Sequence, residues 1–378
     1  MRICVVVLNS VWYDPRVRKQ ISSYIENGID LSCVGYQCER YAEDKVVTIP
    51  CPVTIVKKDV DYNLKLRSPL RKLNREKKKD RSIVEAIVKY NPDIIHANDL
   101  NTLAACVKAA KKLGCKVIYD SHEICTENHY IKGFYKIYSS LSEAYYVKKI
   151  DHMVCVSNAA AEYFEKRYNI PKPMVVTNCS LRSEQILSEE KNPGFEVLNH
   201  GQFYSGRGYD VMVESIPLLK DYPEIKLALR GFGKIEESLR TRAKELGDEN
   251  FIFYPKVLVQ ELIPMASRSS VGVAITEPIC LNFELSVSNK LFEYAAAGIP
   301  VIMSDIPEHR YLNDEYQFGV IISKNTPEAF ADAAIKLYTD KAFYEQCAKN
   351  AKKLSEEVNW ENEFGKLIKV EKKLCEVE

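Results

Sequence analysis

The chain has 378 residues, 46% of them hydrophobic and 28% charged, and a formal net charge of +1. Single cores stop growing at about 250–300 residues, so this length predicts two domains, and the near-neutral charge excludes a general attraction to nucleic acid. The twelve cysteines form no C-x-x-C pair, which predicts reduced thiols and a cytoplasmic setting rather than a disulfide framework or a thiolate metal site.

Short apolar runs alternate with longer stretches of helical period along the chain. "ICVVVL" (3–8) reads as a first strand and is too short for the apolar core of a secretory signal. "PRVRKQISSYIENG" (15–28) reads as a helix, with Asp14 as N-cap, Pro15 in the first turn and Gly28 as the stop. "DLSCVGY" (30–36) is strand-like, "RSIVEAIVKYN" (81–91) helical, and "DIIHAND" (93–99) a strand ending in polar residues. "LAACVKAAKKLG" (103–114) is a helix closed by Gly114; "KVIYDSHE" (116–123) and "HMVCVSN" (152–158) are further strands. Residues 178–195 are polar and end in an Asn-Pro-Gly turn, after which the alternation restarts. It runs through "EVLNHGQ" (196–202), "KLALRGFG" (226–233), "FIFYPKV" (251–257), "VGVAIT" (271–276), "NKLFEYAAAG" (289–298) and "PVIMSD" (300–305). Residues 327–375 read as helical throughout. No apolar run approaches the roughly 20 residues of a membrane-spanning helix.

Strands alternating with helices imply parallel sheets, so the expected class is α/β with two Rossmann-like domains facing across a cleft and C-terminal helices crossing back. The expected boundaries are 1–180 for a first domain, 181–195 for a linker, 196–355 for a second domain, and 356–378 for a helix returning to the first domain. Ligands bind at the carboxyl ends of parallel strands, which singles out the residues just after each one.

Two stretches there suit an anion. "SVSNKLFEYAAAGIPVIMSD" (286–305) starts a helix near Ser288, whose free amides and dipole favour a phosphate. Lys290 adds a full charge, and Glu293, three positions on, suits the paired hydroxyls of a ribose. The plainer reading is a solvated Lys290–Glu293 ion pair, worth about 0.2–0.5 kcal/mol. "HGQFYSGRGYD" (200–210) places Gly201, Gly206, Arg207 and Gly208 between a strand and a helix. Glycines admit an anion to the backbone and arginine forks onto phosphate oxygens. The loop is neither G-x-G-x-x-G nor a Walker loop, which counts against an oxidoreductase or a nucleotide triphosphatase.

With these two stretches, "LALRGFGKIEESL", "FIFYPKVLVQELIPMASRSSVGVAI" and "NWENEFGKLIKV" give the C-terminal half the order and spacing of a known family. "YDPRVRKQISSYIENGIDLSCVGY", "DIIHANDLNTLAACVKAAKKLGCKVIYDSHE" and "IDHMVCVSNAAAEYFEKRY" extend it to the N-terminal half. The chain resembles the family 4 (group 1) retaining glycosyltransferases of the GT-B fold. That resemblance implies transfer of a sugar from a nucleotide diphosphate to a glycan or lipid-linked acceptor, with retained configuration, no metal and no cofactor. It puts UDP-sugars first and GDP-sugars second. It implies that Arg207 and Lys290 bind the diphosphate, that Glu293 holds the ribose, and that His122 reaches the donor sugar and the reacting centre. Gly206, Gly208, Gly231 and Gly233 would line the donor, the last two as a turn, with Lys256 and Val257 near the base and Ser288, Asn289 and Leu291 at the helix start. Asp14, Arg16 and Glu123 would face the acceptor. The family's first glutamate of an E-x7-E pair falls on Leu285, with Glu284 one position out of register, and the first loop, "NSVWYDPR", lacks the usual glycines. A 2-epimerase of the same fold or a non-catalytic partner subunit are the alternatives.

"KLRSPLRKLNREKKKDR" (65–81) carries nine Lys or Arg against Glu76 and Asp80. With its leucines it is a candidate surface for an anionic membrane, or else a solvated charged helix. "NHYIKGFYKIYSSLSEAYYVKKI" (128–150), rich in aromatics and lysines, is a second candidate for a membrane edge.

Overall fold

The computed structural model describes residues 1–9, 11–12, 14–37, 49–57, 69–185, 187–247 and 249–376, with side chains described from residue 73 in the segment that starts at 69. The chain divides into two compact units, Met1–Thr177 with Phe364–Glu378, and Asn178–Glu363.

The first unit is built on β1 (Arg2–Val6), α1 (Pro15–Glu26), β2 (Asp30–Tyr36), β3 (Val53–Val56), α2 (Pro69–Val88), β4 (Ile94–Asn98), α3 (Leu100–Leu113), β5 (Lys116–Ser121), α4 (Gly133–Tyr146), β6 (His152–Cys155), α5 (Asn158–Tyr168) and β7 (Met174–Val175). Its seven strands are all parallel, in the order β3-β2-β1-β4-β5-β6-β7. Ile3 to Val6 are fully buried, as a central strand covered on both faces must be. The order reverses between β1 and β4, so the crevice for a ligand opens at the carboxyl ends of those strands.

The second unit repeats the plan with β8 (Phe195–Phe203), α6 (Tyr209–Glu214), β9 (Ile225–Gly233), α7 (Glu236–Leu246), β10 (Phe251–Tyr254), α8 (Leu262–Ala266), β11 (Val271–Ala274), α9 (Leu281–Leu285), α10 (Asn289–Ala296), β12 (Val301–Ser304), α11 (Pro307–Tyr316), β13 (Gly319–Ile322), α12 (Pro327–Thr339) and α13 (Lys341–Glu357). Its six strands run parallel in the order β10-β9-β8-β11-β12-β13, reversing between β8 and β11. Two parallel sheets of this kind are the α/β architecture expected from the sequence. The last helix, α14 (Trp360–Glu376), contains the division between the units, and its residues Phe364, Leu367, Ile368 and Glu371 are buried.

Two local expectations are corrected and a third is refined. Helix 81–91 is only the end of α2, because the basic run before it continues the same helix from Pro69. The helical stretch over 327–375 consists of three helices; Thr326 caps α12 through the Ala329 amide and Asp340 caps α13 through the Phe343 amide, and such side chains compete with helix continuation. Gly231 and Gly233 do not form a turn. They extend β9 and pair in register with Gly201 and Phe203 of β8, and a Cβ would lie 1.9 Å from the Gly201 carbonyl oxygen at Gly231 and 2.1 Å from that of Phe203 at Gly233. These glycines are required by the backbone packing of two long strands.

Within the basic segment, Lys65 and Arg67 lie outside the described residues, while Lys77, Lys78 and Arg81 are exposed on α2 and Lys79 is paired with Glu76 at 2.6 Å. Among the described residues no helix is long and apolar enough to cross a membrane.

Candidate active site

In the second unit the informative residues converge at the switch point. Gly201, near the end of β8, has φ 127°, and its missing side chain leaves room for Lys290, whose Cε would be 3.4 Å from a Cβ there. Lys290 Nζ donates to Asn199 Oδ1 at 2.6 Å and to the Tyr209 hydroxyl at 3.3 Å. Glu293, one turn further along α10, accepts from His200 Nε2 at 2.6 Å. Lys290 and Glu293 are therefore each tied to β8 or α6, not paired with each other on a solvated face. Tyr294 fixes this geometry: its hydroxyl accepts from the His200 amide and donates to the Leu198 carbonyl, both at 3.0 Å. Its ring lies over Gly272 of β11, where a Cβ would come within 2.2 Å.

Arg207 sits in the glycine loop before α6. Its guanidinium lies 4.6 Å from the Phe283 ring centre and 5.3 Å from that of Tyr204, and Nη1 donates to Thr276 Oγ1 at 3.4 Å. Its Nε is buried with no hydrogen-bond partner. Gly208, at φ 72°, caps α6 where a Cβ would meet Ile275 at 2.4 Å, and the Gly206 carbonyl accepts from the Glu277 amide at 3.0 Å.

Charge is concentrated here without an equal counter-charge. Burial, reinforced by the Arg207 cation and only partly opposed by Glu293, pulls the Lys290 pKa from 10.5 down to about 7. Burial, with Arg207 again adding to it, holds His309 on the neighbouring α11 at about 4. Ser288 precedes α10 and makes no side-chain capping bond, so the first-turn amides keep their electrostatic appeal for an anion.

The other positions that the resemblance places at the donor differ in exposure. Asn289 is exposed at the helix start; Leu291 is fully buried, and its amide donates to the Ser288 carbonyl at 3.1 Å. Glu284, on the short α9, is exposed. Lys256 follows β10 with its ammonium 5.1 Å over the Phe232 ring, and Val257 is half-buried beside it. Asn199, His200, Tyr209 and Thr276 were not singled out from the sequence, although polar residues at the end of an apolar strand, as in "LNHGQ", were the available signal.

In the first unit His122 lies just past β5. Its Nε2 is 3.0 Å from Asn98 Oδ1 and 3.6 Å from Asp120; its Nδ1 is 3.4 Å from Asp99. The Asn98 amide is oriented by donation to the Val6 carbonyl at 3.3 Å, so both ring nitrogens face acceptors and the imidazolium is the satisfied form. Burial alone would lower the His122 pKa, but Asp99 and Asp120 outweigh it and raise it to about 10. Glu123 accepts from Asn128 at 2.9 Å and Tyr130 at 2.8 Å, and burial together with Asp99 raises its pKa.

Asp14 caps α1 by accepting from the Arg16 and Val17 amides, each at 3.1 Å. Arg16 is only 4% exposed; it forms an ion pair with Asp120 at 2.9 Å and donates to the Val176 carbonyl at 3.1 Å. Its guanidinium is thus turned inward onto Asp120, the carboxylate that also lies 3.6 Å from His122. Asp120 would be raised by its burial, but Arg16 and His122 hold it well below the usual carboxylate range. Among the described residues no group of three or more His, Cys, Asp or Glu is placed to hold a metal ion.

The model for Glycosyltransferase Family 4 matches residues 17–180, and that for Glycosyl transferases group 1 matches residues 194–340. No curated protein matches the chain. Among solved structures, sucrose-phosphate synthase from Thermosynechococcus elongatus superposes with a TM-score of 0.78 at 15% identity, covering 100% of both chains. HepE of Anabaena, in complex with UDP, superposes with a TM-score of 0.74 at 12% identity over 99% of this chain and 100% of its own. A glycosyltransferase from Rickettsia africae gives 0.73 at 16% identity, covering 100% and 99%. The two matched segments and the paired doubly wound sheets establish that the chain belongs to the group 1 glycosyltransferases and has the GT-B fold.

Proposed function

We propose that the enzyme transfers a sugar from a UDP-sugar to a glycan or lipid-linked acceptor, with retention of anomeric configuration and without a metal ion. The observation that carries this reading is the pair of under-compensated cations, Arg207 and Lys290, beside the uncapped start of α10. Breaking the bond between sugar and diphosphate builds negative charge on the leaving group, and fixed cations and amides aimed there stabilise the transition state more than the ground state. They supply the positive charge that a divalent ion would otherwise bring. Glu293, oriented by His200, is assigned to the ribose hydroxyls. HepE has been captured with UDP and with UDP-glucose, which favours uridine nucleotides over guanosine ones as the first donors to test.

Retention follows if the acceptor oxygen attacks the face that the diphosphate leaves. The acceptor hydroxyl then passes its proton to the departing phosphate oxygen, so one C–O bond forms as another breaks. His122, held as a cation, is assigned to the donor sugar, and Asp14 and Glu123 to the acceptor. Arg16 is assigned the role of holding Asp120 beneath His122. The exposed Lys77, Lys78 and Arg81 on α2, with the exposed Ile137 (63%), Leu141 (68%) and Tyr145 (57%) spaced by four on α4, suit an anionic membrane carrying a lipid-linked acceptor. Purified protein should show a thermal shift with UDP greater than with GDP or ADP, and should release UDP from a UDP-sugar in an acceptor-dependent way. No shift with any nucleoside diphosphate would overturn the donor assignment.

A further inference from the structure

Asp99 joins β4 to α3 with φ 65° and ψ 160°, a region of backbone space that glycine occupies and other residues enter at a cost of roughly 1–3 kcal/mol. The surroundings over-determine it. Its amide donates to the Asp120 carbonyl at 2.9 Å, and its carbonyl accepts from the Thr102 amide at 3.2 Å and the Thr102 hydroxyl at 2.9 Å. Its carboxylate makes no capping bond to α3, although a helix start is where an aspartate normally does so. Instead Oδ1 accepts from the His122 amide at 3.1 Å and Oδ2 lies 3.4 Å from His122 Nδ1. A residue optimised for stability alone would be glycine here, or would cap the helix. Asp99 does neither, and both of its carboxylate oxygens serve one histidine.

We propose that Asp99 is a positioning residue, kept in a strained backbone conformation so that its carboxylate grips His122 by main chain and ring together. The grip fixes the imidazole rotamer and leaves its charge facing the crevice end of the sheet. This rests on the assignment of His122 to the donor sugar, and the two can fail separately. Asp120 and Asn98 meet the opposite edge of the ring, so loss of Asp99 frees one edge only and the fold is retained.

The test compares full-length Asp99→Gly, Asp99→Ala and Asp99→Asn by melting temperature, by NMR titration of the His122 ring and by turnover of UDP-sugar. At an ordinary site glycine melts below alanine; here Asp99→Gly should melt above Asp99→Ala by about 2–6 °C. The His122 midpoint should fall by roughly one to two pH units in all three variants, and turnover should fall by about 10–100-fold in the Gly and Ala variants. Asp99→Asn, which keeps an acceptor oxygen without its charge, should recover part of the turnover but not the midpoint. Glycine melting below alanine, or an unchanged His122 midpoint, overturns the proposal. Full turnover in His122→Gln, with the Asp99 results as expected, instead removes His122 from the reaction and leaves the grip standing.

Discussion

If the donor diphosphate sits against Lys290 as proposed, nucleotide binding is tied to proton uptake in a way that can be measured. The Lys290 pKa of about 7 in the empty enzyme reflects burial next to Arg207. A bound diphosphate supplies the missing counter-charge and returns the ammonium to the ordinary lysine range, so the bound form holds a proton that the free form has partly lost. Linkage then requires affinity to fall as pH rises through the free value. With a free pKa near 7, the protonated fraction drops from half to about one per cent between pH 7 and pH 9. The dissociation constant should rise about 50-fold, roughly 2.3 kcal/mol. Below pH 7 the terminal phosphate, with a second ionisation near about 6, becomes protonated and opposes the trend, so tightest binding is expected between pH 6 and 7. Isothermal titration of UDP across pH 6–9, in two buffers of different ionisation enthalpy, counts the protons directly. Lys290→Arg keeps a cation that does not titrate in this range and should bind with a nearly flat profile; Lys290→Met should bind weakly at every pH. A wild-type profile that is flat from pH 7.5 to 9, or the same steep profile in Lys290→Arg, would refute the reasoning.

Other outcomes follow from the same geometry. Arg207→Ala should lower turnover by about 10²–10³-fold, with partial recovery in Arg207→Lys; turnover within a few-fold of wild type would remove the electrostatic role of the guanidinium. Glu293→Gln should cost about 10–100-fold with UDP-sugar but much less with the 2′-deoxy donor, and equal losses on both would detach Glu293 from the ribose. Gly208→Ala should destabilise the fold by about 2–4 kcal/mol in chemical denaturation, because Ile275 stands 2.4 Å from the new Cβ at φ 72°. Gly28→Ala, with φ 68° and nothing within 4 Å, should cost only about 1 kcal/mol. Replacing Ile137, Leu141 and Tyr145 together by serine should abolish flotation with anionic liposomes at low salt; undiminished flotation would exclude α4 as the contact.

The parallel architecture was legible because its signals are local: four-to-six-residue apolar runs, caps such as Asp14, and polar residues just past strand ends. The site was legible only in part, for reasons of sequence distance. Lys290 and Glu293 could be read as an anion and ribose pair from one helix turn, but their partners Asn199 and His200 lie on a strand more than ninety residues earlier. Arg16 was placed on the acceptor side by the resemblance alone, while its partner, Asp120, sits 104 residues away on β5. Gly231 and Gly233 suggested a turn because glycines in a short segment usually do; the reason for them is the close approach of β8, visible only once the register is known.

Tyr24, His96 and Glu371 meet in the interior of the first unit, the tyrosine hydroxyl bonded to both the imidazole and the carboxylate. Glu371 comes from the final helix, and all of the second unit is encoded between it and its partners. During synthesis at about 5–20 residues per second, the ribosome spends roughly 10–40 s on that intervening stretch. Throughout it, His96 and Tyr24 lack the contacts that Glu371 and Phe364 of α14 bring. The lobe translated second is continuous and can close first, leaving the lobe translated first as the one that awaits α14.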